Sequence, residues 1–128
     1  LSEKRSIFAE EEKQNWIQVY GNTFDKKKPF ILDCAGGPCF VMPYCAPIAR
    51  EDRAVKLDSG AVKAALEFVV SSGFVHVDVR WHHLAMWGER VILLDLGEGS
   101  LQKIDSNSNV KGMIQKQLNH LASTASFN

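Results

Sequence analysis

Residues 65–97 read ALEFVVSSGFVHVDVRWHHLAMWGERVILLDLG, and the order of local signals in this stretch decides the fold class. Val62, Ala65, Leu66 and Val69 recur with the period of a helix, Gly73 stops the pattern, and Ser59 stands as a candidate N-cap. A helix is therefore expected over 59–72. Phe74 to Val79 is short and strand-like. Leu84–Trp87 and Arg90–Leu94 then flank Gly88-Glu89, which predicts a hairpin. Its second strand, Val91-Ile92-Leu93-Leu94, is apolar on both faces and is expected to be well buried. Gly97-Glu98-Gly99 reads as a turn.

Upstream of this stretch, residues 6–20 (SIFAEEEKQNWIQVY) form a candidate helix. Glutamates near its start suit the positive end of the macrodipole, and Gly21 is a stop signal. Residues 22–29, with Lys26-Lys27-Lys28, read as a solvated loop. Two apolar segments, 30–34 and 39–44, are joined by Ala35-Gly36-Gly37-Pro38 and predict a second hairpin. Pro43 cannot donate to a ladder and is expected to end that strand or to lie on an edge. Residues 45–57 read as a connector. Downstream, Asn109 is a cap candidate for a closing helix over 109–122, with Met113, Ile114, Gln117, Leu118 and Leu121 at helical spacing. The order is helix, hairpin, helix, hairpin, helix: an α+β chain with two short hairpins and three helices, taken as one domain of 128 residues.

Fifteen basic and fifteen acidic residues cancel. That balance argues against an electrostatic grip on nucleic acid or on an anionic membrane. No apolar run approaches the roughly 20 residues needed to span a bilayer. The first residue is Leu, which reads as the result of processing or of recombinant expression. Cys34, Cys39 and Cys45 have spacings of neither a zinc knuckle nor an even disulfide framework. They read as small semi-apolar residues in a reduced compartment, with a Cys34–Cys39 bridge across the hairpin as the alternative.

Within residues 65–97 an apolar helix ending in Gly, a short strand into His76-Val77-Asp78, a hairpin, and Asp95-Leu96-Gly97 follow one another. This sequence of parts resembles the catalytic-loop half of a protein-kinase-like domain. Asp78 and Asp95 stand 17 residues apart, a family-like separation. Phe40 to Cys45 looks like the fifth strand and hinge, which would place Tyr44 at the adenine-facing backbone, and Glu12 matches the helix C glutamate. The resemblance covers about 95 of the 128 residues. It implies that Asp78 accepts the substrate hydroxyl proton, that Arg80 lies near the transferred phosphate, and that Asp95 holds magnesium on the phosphates of ATP. It further implies that Gly97 lets the chain turn away from the metal and that His76 is an architectural residue orienting the loop.

Two departures shape the functional expectation. His83 falls where the family has an asparagine metal ligand, and imidazole prefers softer, borderline metals to magnesium. No Gly-rich phosphate loop and no strand-three lysine precede the first helix, so the fold expected is a truncated protein-kinase-like one. The expected function is a non-catalytic, pseudokinase-type binding module that docks to another protein, as a homodimer or on a host target, with no cofactor. Compact kinase-like domains of this kind are similar to the Crinkler effectors of plant pathogens, which implies an intracellular site of action after delivery into a host cell. The alternative is an active phosphotransferase, or the catalytic half of one, using ATP and magnesium through Asp78 and Asp95.

Other clusters have plainer roles beside the chemical ones. His76-x-Asp78 with His120 matches the ligand pattern of non-haem iron oxygenases, but that fold needs about eight strands and five short ones are expected here. Zinc on His82, His83 and a cysteine has no accepted spacing; the plainer roles are a solvated His82 and a His83 bonded to backbone. Trp16, Trp81 and Trp87 read as core or half-buried residues.

Overall fold

In a computed structural model of the chain, residues 2–21, 30–35, 37–41, 44–97 and 99–126 are described, without the side chains of 2–8, 30, 32–34, 39 and 40. They form four α-helices and small antiparallel sheets, an α+β fold. The described residues divide into two compact units, 1–44 with 96–99, and 45–95 with 100–128.

The first unit begins with α1 (Ser2–Tyr20). It starts four residues earlier than the apolar pattern suggested, and Glu3, Lys4 and Arg5 are good helix formers. Ala9, Trp16, Val19 and Tyr20 are buried, and the rings of Trp16 and Tyr20 lie 4.9 Å apart. Helix α1 packs on the hairpin of β1 (Phe30–Cys34) and β2 (Gly37–Val41). This turn is tighter than expected: Gly37 and Pro38 belong to β2, opposite Cys34 and Asp33. Gly37 enters the strand with a φ of 119°. Pro38 is tolerated because both strands of a two-stranded sheet are edges. The register sets Cys39 against Leu32 and Cys34 against Gly37, so the two cysteines are not cross-strand partners. The lysine run 26–28 and the strand-ending role of Pro43 lie outside the described residues. In the same unit the Asn15 side-chain amide donates to the Leu96 carbonyl at 2.8 Å.

The second unit carries the larger core. Residues 45–57 are not a bare connector: they contain β3 (Ala46–Pro47), a 3-10 turn at Arg50–Asp52 and the start of α2 (Arg53–Asp58). Helix α3 (Ala61–Ser71) turns Val62, Ala65, Leu66 and Val69 inward. Its N-cap position is Gly60, at φ 82°, rather than Ser59, whose hydroxyl accepts a long 3.4 Å bond from the Ala61 amide. Strand β4 (Phe74–His76) is fully buried. After a 3-10 turn at Trp81–His83 come β5 (Leu84–Trp87) and β6 (Arg90–Leu93), a hairpin in which Trp87 faces Arg90 and Leu84 faces Leu93. Gly88, at φ 61°, supplies the left-handed residue that the two-residue turn requires. Helix α3 packs on β6 and β4, with Val91, Ile92 and Leu93 each almost wholly buried.

Two strand pairings go beyond the expected hairpins. Strand β3 pairs antiparallel with β5, Ala46 opposite Met86 and Pro47 opposite Ala85, on the sheet edge where proline is acceptable. Strand β7 (Leu101–Lys103) pairs with β4, His76 opposite Leu101. The closing helix α4 (Val110–Thr124) is capped by Asn109, whose side-chain oxygen accepts from the Gly112 amide at 3.1 Å. It runs two residues past the expected end, and side chains hold its last carbonyls: the Trp81 indole donates to Leu121 at 2.9 Å, and Arg53 to Ala125 at 3.2 Å. No helix of the described residues is long and apolar enough to cross a membrane.

Candidate functional site

The site grows from the ends of two ladders in the second unit. The β4–β7 pairing continues one step through the Val77 amide, which donates to the Ser100 carbonyl at 2.9 Å. The β5–β6 pairing continues through the Leu94 amide, which donates to the His83 carbonyl at 2.7 Å. These two bonds fix both ends of the 77–83 loop and bring Asp95 and Ser100 to it.

His76 is the hub. Its side chain is about 1% exposed. Ring Nδ1 accepts the Asp78 backbone N–H at 3.1 Å, so the ring proton sits on Nε2, which donates to the Asp95 backbone carbonyl at 2.6 Å. Both nitrogens are thus engaged by main chain. Burial pushes the His76 pKa below its ordinary value of 6.5, against the raising effects of its bond to the Asp95 backbone and of the Asp95 charge. The folded ring is neutral and positions the loop.

His83 bridges the same two segments differently. Its Nδ1 lies 3.0 Å from the Asp78 backbone carbonyl, an acceptor only, so Nδ1 carries a proton. Its Nε2 then faces Asp95 Oδ2 at 3.5 Å. Asp95 Oδ2 also accepts the Ser100 hydroxyl at 2.8 Å. Donor atoms of His76, His83 and Asp95 lie within 4.8 Å of one another. Because His76 spends both nitrogens on backbone, the usable metal donors reduce to His83 and Asp95, one borderline and one hard ligand.

Asp78 pairs instead with Arg80. Its Oδ1 accepts from Arg80 Nε at 3.0 Å, and both side chains are more than half exposed. The hydrogen bond from Arg80 holds the Asp78 carboxyl below the usual carboxylate range. His82 is exposed and stacks edge-on against His83, with ring centroids 4.2 Å apart. His120 lies on the exposed face of α4.

Of the residues singled out from the sequence, Asp78, Arg80, His83 and Asp95 are gathered by the second unit. Glu12, Tyr44 and Gly97 belong to the first. Glu12 is half-buried on α1, and Tyr44 is 74% exposed. In the turn that follows Asp95, the left-handed conformation falls on Gly99, at φ 82°. Two contributors escaped sequence reasoning. Ser100 carries no local signal. Gln117 does: it is a polar residue inside the apolar stripe of α4, and its side-chain amide donates to the His76 carbonyl.

Fold and cluster together define an α+β protein with a histidine–aspartate site at the meeting of two small sheets. The chain belongs to DUF5898, a family of unknown function, whose model matches residues 1–87. That match takes in His76, Asp78, Arg80 and His83 and stops before Asp95. No curated protein matches the chain.

Proposed function

We propose that the chain is a kinase-like binding module that docks to another protein and does not transfer phosphate. The kinase-like part of this reading rests on the order of helix, His76-x-Asp78 loop, hairpin and Asp95-x-Gly97, and on the neutral His76 that ties the loop to the Asp95 backbone. The non-catalytic part is carried by one observation: His83, in the position of the family's asparagine, spans from the Asp78 carbonyl to the Asp95 carboxylate. The Arg80 guanidinium on Asp78 adds to this, since a carboxylate held below its usual range is a weaker base.

Thermal unfolding with ATP and magnesium tests the reading, because a ligand bound only by the folded state at a hundred times its Kd stabilises by about 2.7 kcal/mol. No shift is expected for the chain as it stands, while His83→Asn is expected to gain a magnesium-dependent shift that Asp95→Asn removes. A magnesium-nucleotide shift in the unaltered chain, together with phosphate transfer abolished by Asp78→Asn, would overturn the reading in favour of an active phosphotransferase. A shift with zinc or manganese alone, lost in His83→Ala, would instead make the His83–Asp95 pair a metal site.

A further inference from the structure

A cleft of about 360 Å³ opens beside the His76-x-Asp78 loop, between that loop and α4. Its apolar surface comes mainly from Val77, which is 43% exposed, and Met113, with the buried Val79 behind them. Its rim is formed by Arg80, Lys116 and His120, all exposed. The one carboxylate in the lining, Asp78, already accepts from Arg80. Helix α4 contributes to the imbalance, for it contains Lys111 and Lys116 and no acidic residue. With Arg80 and Asp78 cancelling, Lys116 leaves the lining one positive charge in excess over an apolar floor, in a chain whose fifteen basic and fifteen acidic residues balance.

We propose that this cleft binds a short acidic–aliphatic segment of a partner protein, with aliphatic side chains on Val77 and Met113 and a carboxylate against Lys116. The inference rests on the docking role proposed above and names the face and the chemistry of the partner. The volume suits a few side chains, being at the low end of the roughly 300–1,000 Å³ of ligand pockets. Mixed recognition of this kind draws affinity from apolar burial and uses charge for register and specificity. The cleft is also coupled to the candidate site. Gln117, in its wall, donates to the His76 carbonyl, so a ligand that moves α4 acts on the residue that orients the loop.

The probe is a fluorescently labelled peptide alternating glutamate and leucine, titrated into the full chain and followed by anisotropy and by backbone NMR shifts. Matched controls are a lysine–leucine peptide and a leucine-free glutamate peptide. Saturable binding of the glutamate–leucine peptide is expected, with shifts centred on Val77, Met113 and Lys116 and neither control binding comparably. Lys116→Glu is expected to weaken it about threefold to tenfold, the scale of reversing one exposed charge contact. Lys111→Glu, the same charge change on α4 but outside the cleft lining, is expected to change it little. Equal weakening by the two variants, or equal binding of the leucine-free peptide, would show diffuse electrostatic attraction and sink the proposal. So would movement of the same resonances on raising protein concentration alone, since a second copy would then be the occupant. Nucleotide titrations on the same samples separate the two ideas. Peptide binding with a magnesium-nucleotide shift keeps the cleft and removes the non-catalytic reading; no peptide binding and no nucleotide shift does the reverse.

Discussion

At the residue scale, His76 shows how a titratable side chain becomes scaffold. It is 2% exposed and uses both ring nitrogens on main chain, so truncation leaves the Asp78 amide and the Asp95 carbonyl without it. His76→Ala is expected to cost about 2–4 kcal/mol in urea unfolding, the sum of a core truncation and orphaned buried polar groups. Its pH dependence has a definite sign. Burial depresses the folded pKa below 6.5, so on acidification the unfolded chain takes up the proton first. The contribution of His76 is complete above pH 6.5 and is lost as pH falls below it. Urea midpoints measured from neutral pH down to about pH 5 should fall in the parent chain and fall less steeply in His76→Gln. Equal slopes would mean that His76 is not the titrating group.

At the element scale, α4 is the part whose hold on the rest was least visible in advance. Its start was legible, because Asn109 precedes a run with helical spacing and does cap it. Its end was not, because the groups that secure it come from far along the chain: Trp81 donates to Leu121 and Arg53 to Ala125. Arg53 also lies 5.2 Å from the Trp81 ring centre, so one arginine and one indole together close the helix end. Replacing Trp81 by Phe keeps the aromatic bulk and removes the indole N–H, leaving the Leu121 carbonyl with only the longer 3.4 Å side-chain bond from the Thr124 hydroxyl. A loss of about 1–2 kcal/mol is expected, with faster amide exchange confined to the last turns of α4. Asn109→Ala is expected to cost about 1 kcal/mol and to speed exchange at the first turn instead. A common exchange pattern for the two variants would show that α4 opens only as a whole.

At the scale of the whole molecule, charge balance and the interplay of sheets matter most. With fifteen charges of each sign and a pI near 7.1, the chain carries no net repulsion at neutral pH. Its solubility is expected to be lowest close to pH 7 and to rise on either side, which polyethylene glycol precipitation across pH would measure. A minimum displaced by more than about a pH unit would show that bound counter-ions, and not the sequence charges, set the net charge. The candidate site is a property of this scale as well. Neither the β4–β7 nor the β5–β6 ladder alone contains it, and only their adjacent ends bring His76, His83, Asp95 and Ser100 together.

What the sequence by itself determined lies within short reach along the chain. The stripe of Val62, Ala65, Leu66 and Val69 specified α3, Gly88 specified the β5–β6 turn, and Asn109 specified the start of α4, because each depends on residues a turn or a hairpin apart. Asp78, His83 and Asp95 were singled out through the resemblance of His76-x-Asp78 and Asp95-x-Gly97 to kinase-like domains. Tertiary structure decided the rest. Strands β3 and β7, of two and three residues, are too short to show periodicity and exist only through distant partners. Gln117 reaches His76 across 41 residues, and His76 reaches Asp95 across 19. Such contacts are set by closing long loops around a shared core, and that information is held by the packed chain as a whole, not by any window of it.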